Sequence, residues 1–355
     1  MNNDRIQEIL DLMEEARLDY FLISDPQSIA YCTGYYNDPH ERMFVFMISK
    51  HGNHTLFMND LFYLDHDLDV NIVWHKDGQD AIQTIVDEMH FPGRIGIDKN
   101  WASHFLLDLM KKLPDAKYIN ASPCVDLVRM KKDLQEQVLM IESSKINDAV
   151  MEEIIPFIQE GVTEKQLAKK LDELFFNHHS TCYGAIVAFG KNAADPHHEN
   201  DDTPLRKGDC VLIDMGCVYK GYCSDMTRTF FYEGILEEEI KVYEIVKKAN
   251  EAAEAMIKPG VKLSDIDKCA RKVISDEGYG KYFTHRLGHF IGRDVHEYGD
   301  VSSVNEMEVE EGMIFSIEPG IYLEGNFGVR VEDLVMVTKD RCQVLNSFTK
   351  DIYII

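Results

Sequence analysis

Four acidic residues in the second half of the chain stand within or at the end of apolar, strand-like runs. They are Asp214 in "VLIDMG", Asp225 in "YCSDMTRTFF", Glu318 in "MIFSIEPG" and Glu332 in "GVRVEDLVMV". Val211, Leu212 and Ile213 read as a buried strand, and an unpaired carboxylate in its continuation is costly to desolvate. A turn near Lys220-Gly221 returns the chain so that Asp225 lies roughly level with Asp214. Alternation sends Ile314, Ser316 and Glu318 to one face, with Pro319 ending the strand. It also puts Arg330 and Glu332 opposite Val329 and Val331. A solvated sheet face accounts for any one of these acids alone. Gathered together, they repel and raise one another's pKa unless cations neutralise them.

The stretch "HRLGHFIGRDVHE", residues 285–297, adds His285, His289 and His296. Histidine is the commonest metal ligand and acid–base group near neutral pH. The zinc helix H-E-x-x-H is absent, because His198-Glu199 and His296-Glu297 lack the second histidine. The residues alone leave open which histidine holds a metal. Four carboxylates and one imidazole suit two divalent cations of hard-to-borderline preference: Mn, Co, Zn or Fe. Two such metals, about 3.5–4 Å apart, can share a bridging hydroxide and grip a polarised carbonyl, which is a hydrolase design.

With 355 residues the chain is long enough for two domains. Helical spacing over 4–18, a strand at "DYFLIS", a strand pair around "KHGN", a strand at "RIGIDKN" and a helix over Trp101–Leu113 predict an α/β first half. A long amphipathic stretch over 127–159 links it to a second half of strand runs. Helices over Glu237–Ile257 and 262–277 separate those runs, which suggests α+β.

The net charge of −25 opposes phosphate backbones and anionic lipids, so nucleic-acid and membrane-surface partners are set aside. No apolar run reaches the length of a transmembrane helix, and "MNNDRIQEIL" reads as an amphipathic helix rather than a signal peptide. The eight cysteines form no C-x-x-C pair, and Cys210, Cys217 and Cys223 read as small apolar fillers. A cytoplasmic protein with reduced thiols is expected.

The ordered set Asp214, Asp225, His289, Glu318 and Glu332, in "LIDMG", "SDMTRTF", "HRLGHFIG", "SIEPGIY" and "GVRVED", resembles the pita-bread metallopeptidases. Within them it is most similar to the proline-specific branch, Xaa-Pro dipeptidase (prolidase) and aminopeptidase P. The resemblance covers the whole chain. It implies a creatinase-like α/β N-terminal domain, 1–125, and a pita-bread α+β catalytic domain, 126–355. It further implies that the five residues are ligands of two divalent metal ions, manganese first, with cobalt or zinc as alternatives.

By the same resemblance His289 is the imidazole ligand, and Glu318 is both ligand and proton acceptor. His296 hydrogen-bonds the tetrahedral intermediate, and His197 of "GKNAADPHHEN" faces the substrate. His285 stands behind the ligands or lines the pocket. Arg330 neutralises the cluster and fixes Glu332, while Thr227 supports Asp225. Tyr322 reads as a packed aromatic and His198 as an exposed neighbour. Phe290 stands where many relatives carry glycine and some aminopeptidase P sequences an aromatic, so by the resemblance it either narrows the pocket or is a trait of the aminopeptidase branch.

The implied activity is cleavage of Xaa-Pro dipeptides through a metal-bridging hydroxide, in a homodimer. "TGYYNDPHERMF" is similar to bacterial prolidases and tips the reading to dipeptidase. An aminopeptidase acting on longer Xaa-Pro peptides is the alternative, and a non-catalytic interaction module a distant one, since such reuse typically loses ligands. Methionine aminopeptidase shares the ligands but usually lacks the N-terminal domain; creatinase shares the fold without the ligand set. A dipeptidase must bind the proline carboxylate, for which His197, His296 and Arg42 of "DPHER" are candidates.

Overall fold

The computed structural model describes residues 1–90 and 92–355. The chain forms two compact units, Met1–Arg129 and Met130–Ile355. The division expected after residue 125 falls inside the helix Ser122–Met130.

In the first unit, α1 (Asn3–Glu15) leads into β1 (Tyr20–Ile23), α2 (Pro26–Thr33) and the hairpin of β2 (Val45–Ser49) and β3 (Thr55–Asn59). There follow β4 (Asn71–His75), α3 (Ala81–Glu88), β5 (Arg94–Ile97), α4 (Ser103–Lys112), β6 (Lys117–Asn120) and α5 (Ser122–Met130). The strands make one sheet in the order β4-β3-β2-β1-β5-β6, with β1 antiparallel to β2 and parallel to β5. β1 is apolar throughout because helices cover both faces. Phe21 and Ile23 pack with Ile6, Ile9 and Met13 of α1, while Tyr20 and Leu22 pack with Ile82 and Ile85 of α3. The structure adds α2, β4, α3, β6 and α5 to the elements expected from periodicity. α2 is set by local chemistry: Asp25 caps it, Pro26 fills its first turn, and Gly34 closes it at φ 80°.

The single stretch expected over 127–159 is broken in two. Lys131 makes an isolated bridge to Met313, and Asp133 then restarts the chain as α6 (Leu134–Ile154) through a capping box with Glu136. α7 (Glu164–Asn177) begins at a second capping box, Thr163 with Gln166. Next come β7 (Thr181–Cys182), β8 (Ile186–Phe189), β9 (Cys210–Met215), β10 (Cys217–Tyr219), β11 (Tyr222–Cys223) and β12 (Met226–Phe231). α8 (Glu237–Met256) and α9 (Leu263–Asp276) separate these from β13 (Gly288–His289), β14 (Asp300–Val301), β15 (Ile314–Ile317), β16 (Gly320–Leu323), β17 (Phe327–Arg330), β18 (Asp333–Val337) and β19 (Cys342–Val344). β12-β9-β8 form one antiparallel sheet, β15-β18-β19 another, and β16-β17 a third. Val187, Phe189, Val211 and Ile213 bury against Met151 of α6 and Leu167, Leu171 and Phe175 of α7. Antiparallel strands with segregated helices make this unit α+β, as expected.

Candidate active site

The β9–β12 register sets Asp214 opposite Thr227, and Asp225 directly precedes β12. By the two-residue strand period, Asp214, Asp225 and Thr227 share one face of the sheet. Glu318 follows β15, and Glu332 lies between β17 and β18. His289 enters through Gly288. A Cβ at 288 would lie 1.9 Å from the Ser316 carbonyl oxygen, so glycine alone lets β13 approach β15 this closely.

The five groups line one cavity of about 710 Å³. His289 Nε2 is 3.6 Å from Asp225 Oδ2, 3.6 Å from Glu318 Oε1 and 3.9 Å from Glu332 Oε1. The other ring nitrogen, Nδ1, lies 3.2 Å from the Phe290 carbonyl oxygen. A carbonyl only accepts, so Nδ1 carries the hydrogen and Nε2 turns a lone pair to the acids. This is the tautomer a metal ligand needs. Asp225, His289 and Glu332 bring ligand atoms within 4.8 Å of one another.

Asp214 joins the group through Arg330, whose Nη2 donates to Asp214 Oδ2 at 2.5 Å. Arg330 Nε donates to Thr227 Oγ1 at 3.1 Å, and that hydroxyl donates to Glu332 Oε2 at 2.7 Å. Thr227 therefore supports Glu332, not Asp225: both face it, but only Glu332 reaches its hydroxyl. Arg330 Nη1 donates to Tyr322 Oη at 3.0 Å. The Tyr322 hydroxyl in turn donates to His285 Nε2 at 2.8 Å, because His285 Nδ1 donates to the Arg286 carbonyl at 2.7 Å. Tyr322 is thus a polar link rather than a packed aromatic, and His285 ends the chain that orients Asp214 and Glu332.

Burial pushes Asp225 and Glu332 well above the usual carboxylate range, with neighbouring acids adding to it, and pushes Glu318 up to about 7. Burial also pushes His289 down to about 3 and His285 to about 4. Proton-holding acids beside a neutral imidazole are the pattern that divalent cations reverse by displacing protons. By donor chemistry, Asp214, Asp225, His289, Glu318 and Glu332 could hold two such ions.

His296 and His197 line the same cavity nearer solvent. His296 meets His289 edge-on, and the side chain of its neighbour Glu297 is buried, accepting from Lys132 Nζ at 2.9 Å and the Arg293 amide at 3.0 Å. Phe290 does not narrow the cavity. It is fully buried, with its ring 5.3 Å from that of Phe315, because the residue after a strand-borne His289 turns to the opposite face. His198 is no exposed bystander either: its side chain is 13% exposed and bonds Glu164. Arg42 is committed within the first unit, donating through Nε and Nη2 to Asp77 and pairing with Glu41.

Two wall residues escaped the sequence analysis. Tyr183 lies beside Asp225, its hydroxyl donating to the Ser224 carbonyl at 2.7 Å. Its signal is Gly216 of "DMG", where a Cβ would lie 1.9 Å from Tyr183 Oη. Arg286 also lines the cavity; it is exposed, and its positive charge acts on Glu318. Its position between His285 and His289 was the available cue.

Residues 138–339 match the model of metallopeptidase family M24, and residues 5–131 match the Creatinase/Prolidase N-terminal domain. An uncharacterized peptidase of Staphylococcus aureus is 34% identical, over 98% of this chain and 99% of its own. The solved dipeptidase of Pyrococcus horikoshii superposes with TM-score 0.93 at 35% identity, covering 99% of this chain and 100% of that one. A prolidase of Thermococcus sibiricus gives 0.92 at 31%, covering 100% of both chains. The match embraces the strands that carry the clustered acids and His289, so this protein belongs to metallopeptidase family M24.

Proposed function

We propose that this protein is a metal-dependent Xaa-Pro dipeptidase whose two divalent cations are held by Asp214, Asp225, His289, Glu318 and Glu332. The observation that carries the reading is His289 Nε2, unprotonated and 3.6–3.9 Å from three buried or half-buried carboxylates. Similarity over the full chain to a dipeptidase and a prolidase supports the substrate class. When bound, the cations supply a water acidic enough to attack near neutral pH and a Lewis acid for the scissile carbonyl.

The rest belongs to the chain's own side chains. An Xaa-Pro bond is a tertiary amide with no N–H, so strand-like docking is of little use. His296, at the cavity mouth beside His289, is suited to hydrogen-bond the oxygen that gains charge during attack. Glu318, 3.6 Å from His289 Nε2, takes up the proton and passes it to the proline nitrogen. His197 faces the substrate from the cavity rim, with His285, Arg330 and Thr227 orienting the ligands. Arg286, exposed and lining the cavity, is suited to the free carboxylate of the proline.

The reading includes manganese as first metal, with cobalt or zinc as alternatives, a homodimer, and a catalytic domain beginning at 126. A cytoplasmic setting is supported by eight free cysteines, and no helix among the described residues is long and apolar enough to cross a membrane. A cavity of about 710 Å³ has room beyond a dipeptide, and this favours a second reading, an aminopeptidase acting on longer Xaa-Pro peptides. The test compares kcat/KM for Leu-Pro and Leu-Pro-Gly under saturating manganese. Preference for Leu-Pro upholds the dipeptidase; equal or better cleavage of Leu-Pro-Gly reassigns the enzyme to the aminopeptidase.

A further inference from the structure

Glu164 opens α7 and is fully buried, far along the chain from the clustered acids. Its Oε1 accepts from the Phe189 amide at 2.9 Å and from Asn192 Nδ2 at 2.9 Å. Its Oε2 accepts from His198 Nε2 at 2.6 Å and from the Asp201 amide at 3.0 Å. All four donors belong to one segment, 189–201, which carries His197. That segment is tied again on either side. Asn200 imitates a strand partner for β8, accepting from the Val187 amide and donating to the Ala185 carbonyl, both at 2.7 Å. A Cβ at Gly328 would lie 1.9 Å from the Ala193 carbonyl oxygen, so the segment rests directly on β17. From the end of β17, Arg330 Nη1 donates to the Pro196 carbonyl at 3.4 Å.

Glu164, His198 and Asp201 have the spacing of a metal group, but Glu164 has no oxygen to spare. Asp201 is exposed, and its Oδ1 accepts from the Thr203 amide at 2.6 Å. The cluster therefore reads as an anchor. His197 is flanked by its two points of attachment: Pro196, bonded to Arg330, and His198, bonded to Glu164.

We infer that Glu164 is a positioning residue, whose carboxylate gathers the 189–201 segment and thereby holds His197 at the rim of the cavity. The inference rests on the proposed function only for the role of His197. A carboxylate is required because a backbone N–H, which can only donate, meets each of its oxygens: Phe189 at Oε1 and Asp201 at Oε2. A glutamine has a single oxygen, so in either orientation its amide hydrogens would face one of these N–H groups.

The test uses full-length, metal-loaded protein carrying Glu164→Gln, His197→Ala, or both. Glu164→Gln should speed amide exchange at Phe189 and Asp201 while α8 and α9 stay protected. It should lower kcat/KM for Leu-Pro about 10- to 100-fold, as loss of an orienting partner does. The change should divide between kcat and KM as it does for His197→Ala. The double variant should be no worse than His197→Ala alone, the signature of two residues acting through one contact. An equal fold-loss in the His197→Ala background, or unchanged exchange over 189–201, overturns the anchor. If Glu164→Gln does not fold, His198→Ala removes one of the four donors and should show the same non-additivity with His197→Ala; additive losses would overturn the inference. If the wild type does not cleave Leu-Pro, the function reading fails, and exchange in Glu164→Gln alone judges the anchor: loosening confined to 189–201 upholds it, and none overturns it.

Discussion

The rings of His289 and His296 meet edge-on, with centroids 4.3 Å apart and planes at 69°. Yet among the described residues only His289 brings a ring nitrogen within 3.6–3.9 Å of Asp225, Glu318 and Glu332. The two histidines should therefore separate by role. His289→Ala should lower metal content, because a proposed ligand is lost. His296→Ala should keep its metal and lose turnover by roughly 10²-fold, as expected for a donor to developing charge. Elemental analysis beside kcat decides; an emptied site in His296→Ala with a full one in His289→Ala would exchange the roles.

Metal affinity should fall as pH falls through about 7. Glu318, raised to about 7 by burial with Asp214 adding to it, must give up its proton to bind a cation. Asp225 and Glu332, also raised, shift the balance in the same direction. His289, lowered to about 3 by burial, is already neutral in this range and releases no proton. Calorimetric titration with manganese, in buffers of different ionisation heat, should count more protons released near pH 6 than near pH 8. Equal release at both would sink this account.

Arg286→Ala should raise KM for Leu-Pro while sparing Leu-Pro-amide, which lacks the carboxylate. A charge-assisted contact of this kind is worth roughly 1.5–3 kcal/mol, or about 10- to 150-fold in KM. Parallel losses on both substrates would show that Arg286 does not read the carboxylate.

The acids at the heart of the site were legible because each interrupts an apolar run, and a buried run cannot hold an unpaired carboxylate cheaply. The residues left open which histidine joins them, and His289 was singled out only by the resemblance of the ordered set to the pita-bread metallopeptidases. What stayed hidden depends on contacts distant in sequence. Alternation gives the face on which Thr227 lies, but not that Glu332 rather than Asp225 takes its hydroxyl. His198 and Glu164 lie 34 positions apart, and nothing local marks either as the other's partner. The break between α5 and α6 has a local cue that helical spacing overran: Asp133, followed three positions later by Glu136, is a capping box. Tyr322 was unreadable as a polar link because an aromatic in a strand looks the same whether its hydroxyl is used or not.

Phe290 offers a test of core against pocket. It is fully buried against Phe315, so Phe290→Ala should cost about 3–5 kcal/mol of stability through the cavity it leaves. KM for Leu-Pro should change little in the folded fraction. A variant of undiminished Tm with an altered KM would return Phe290 to the pocket wall.

The most direct measurement is titration of chelator-stripped protein with manganese, following Leu-Pro hydrolysis. With Asp214, Asp225, His289, Glu318 and Glu332 as the ligands, activity should be absent in the stripped protein. It should return with added metal and level off at two equivalents per chain. Full hydrolysis of Leu-Pro by protein shown to be free of metal would contradict the account.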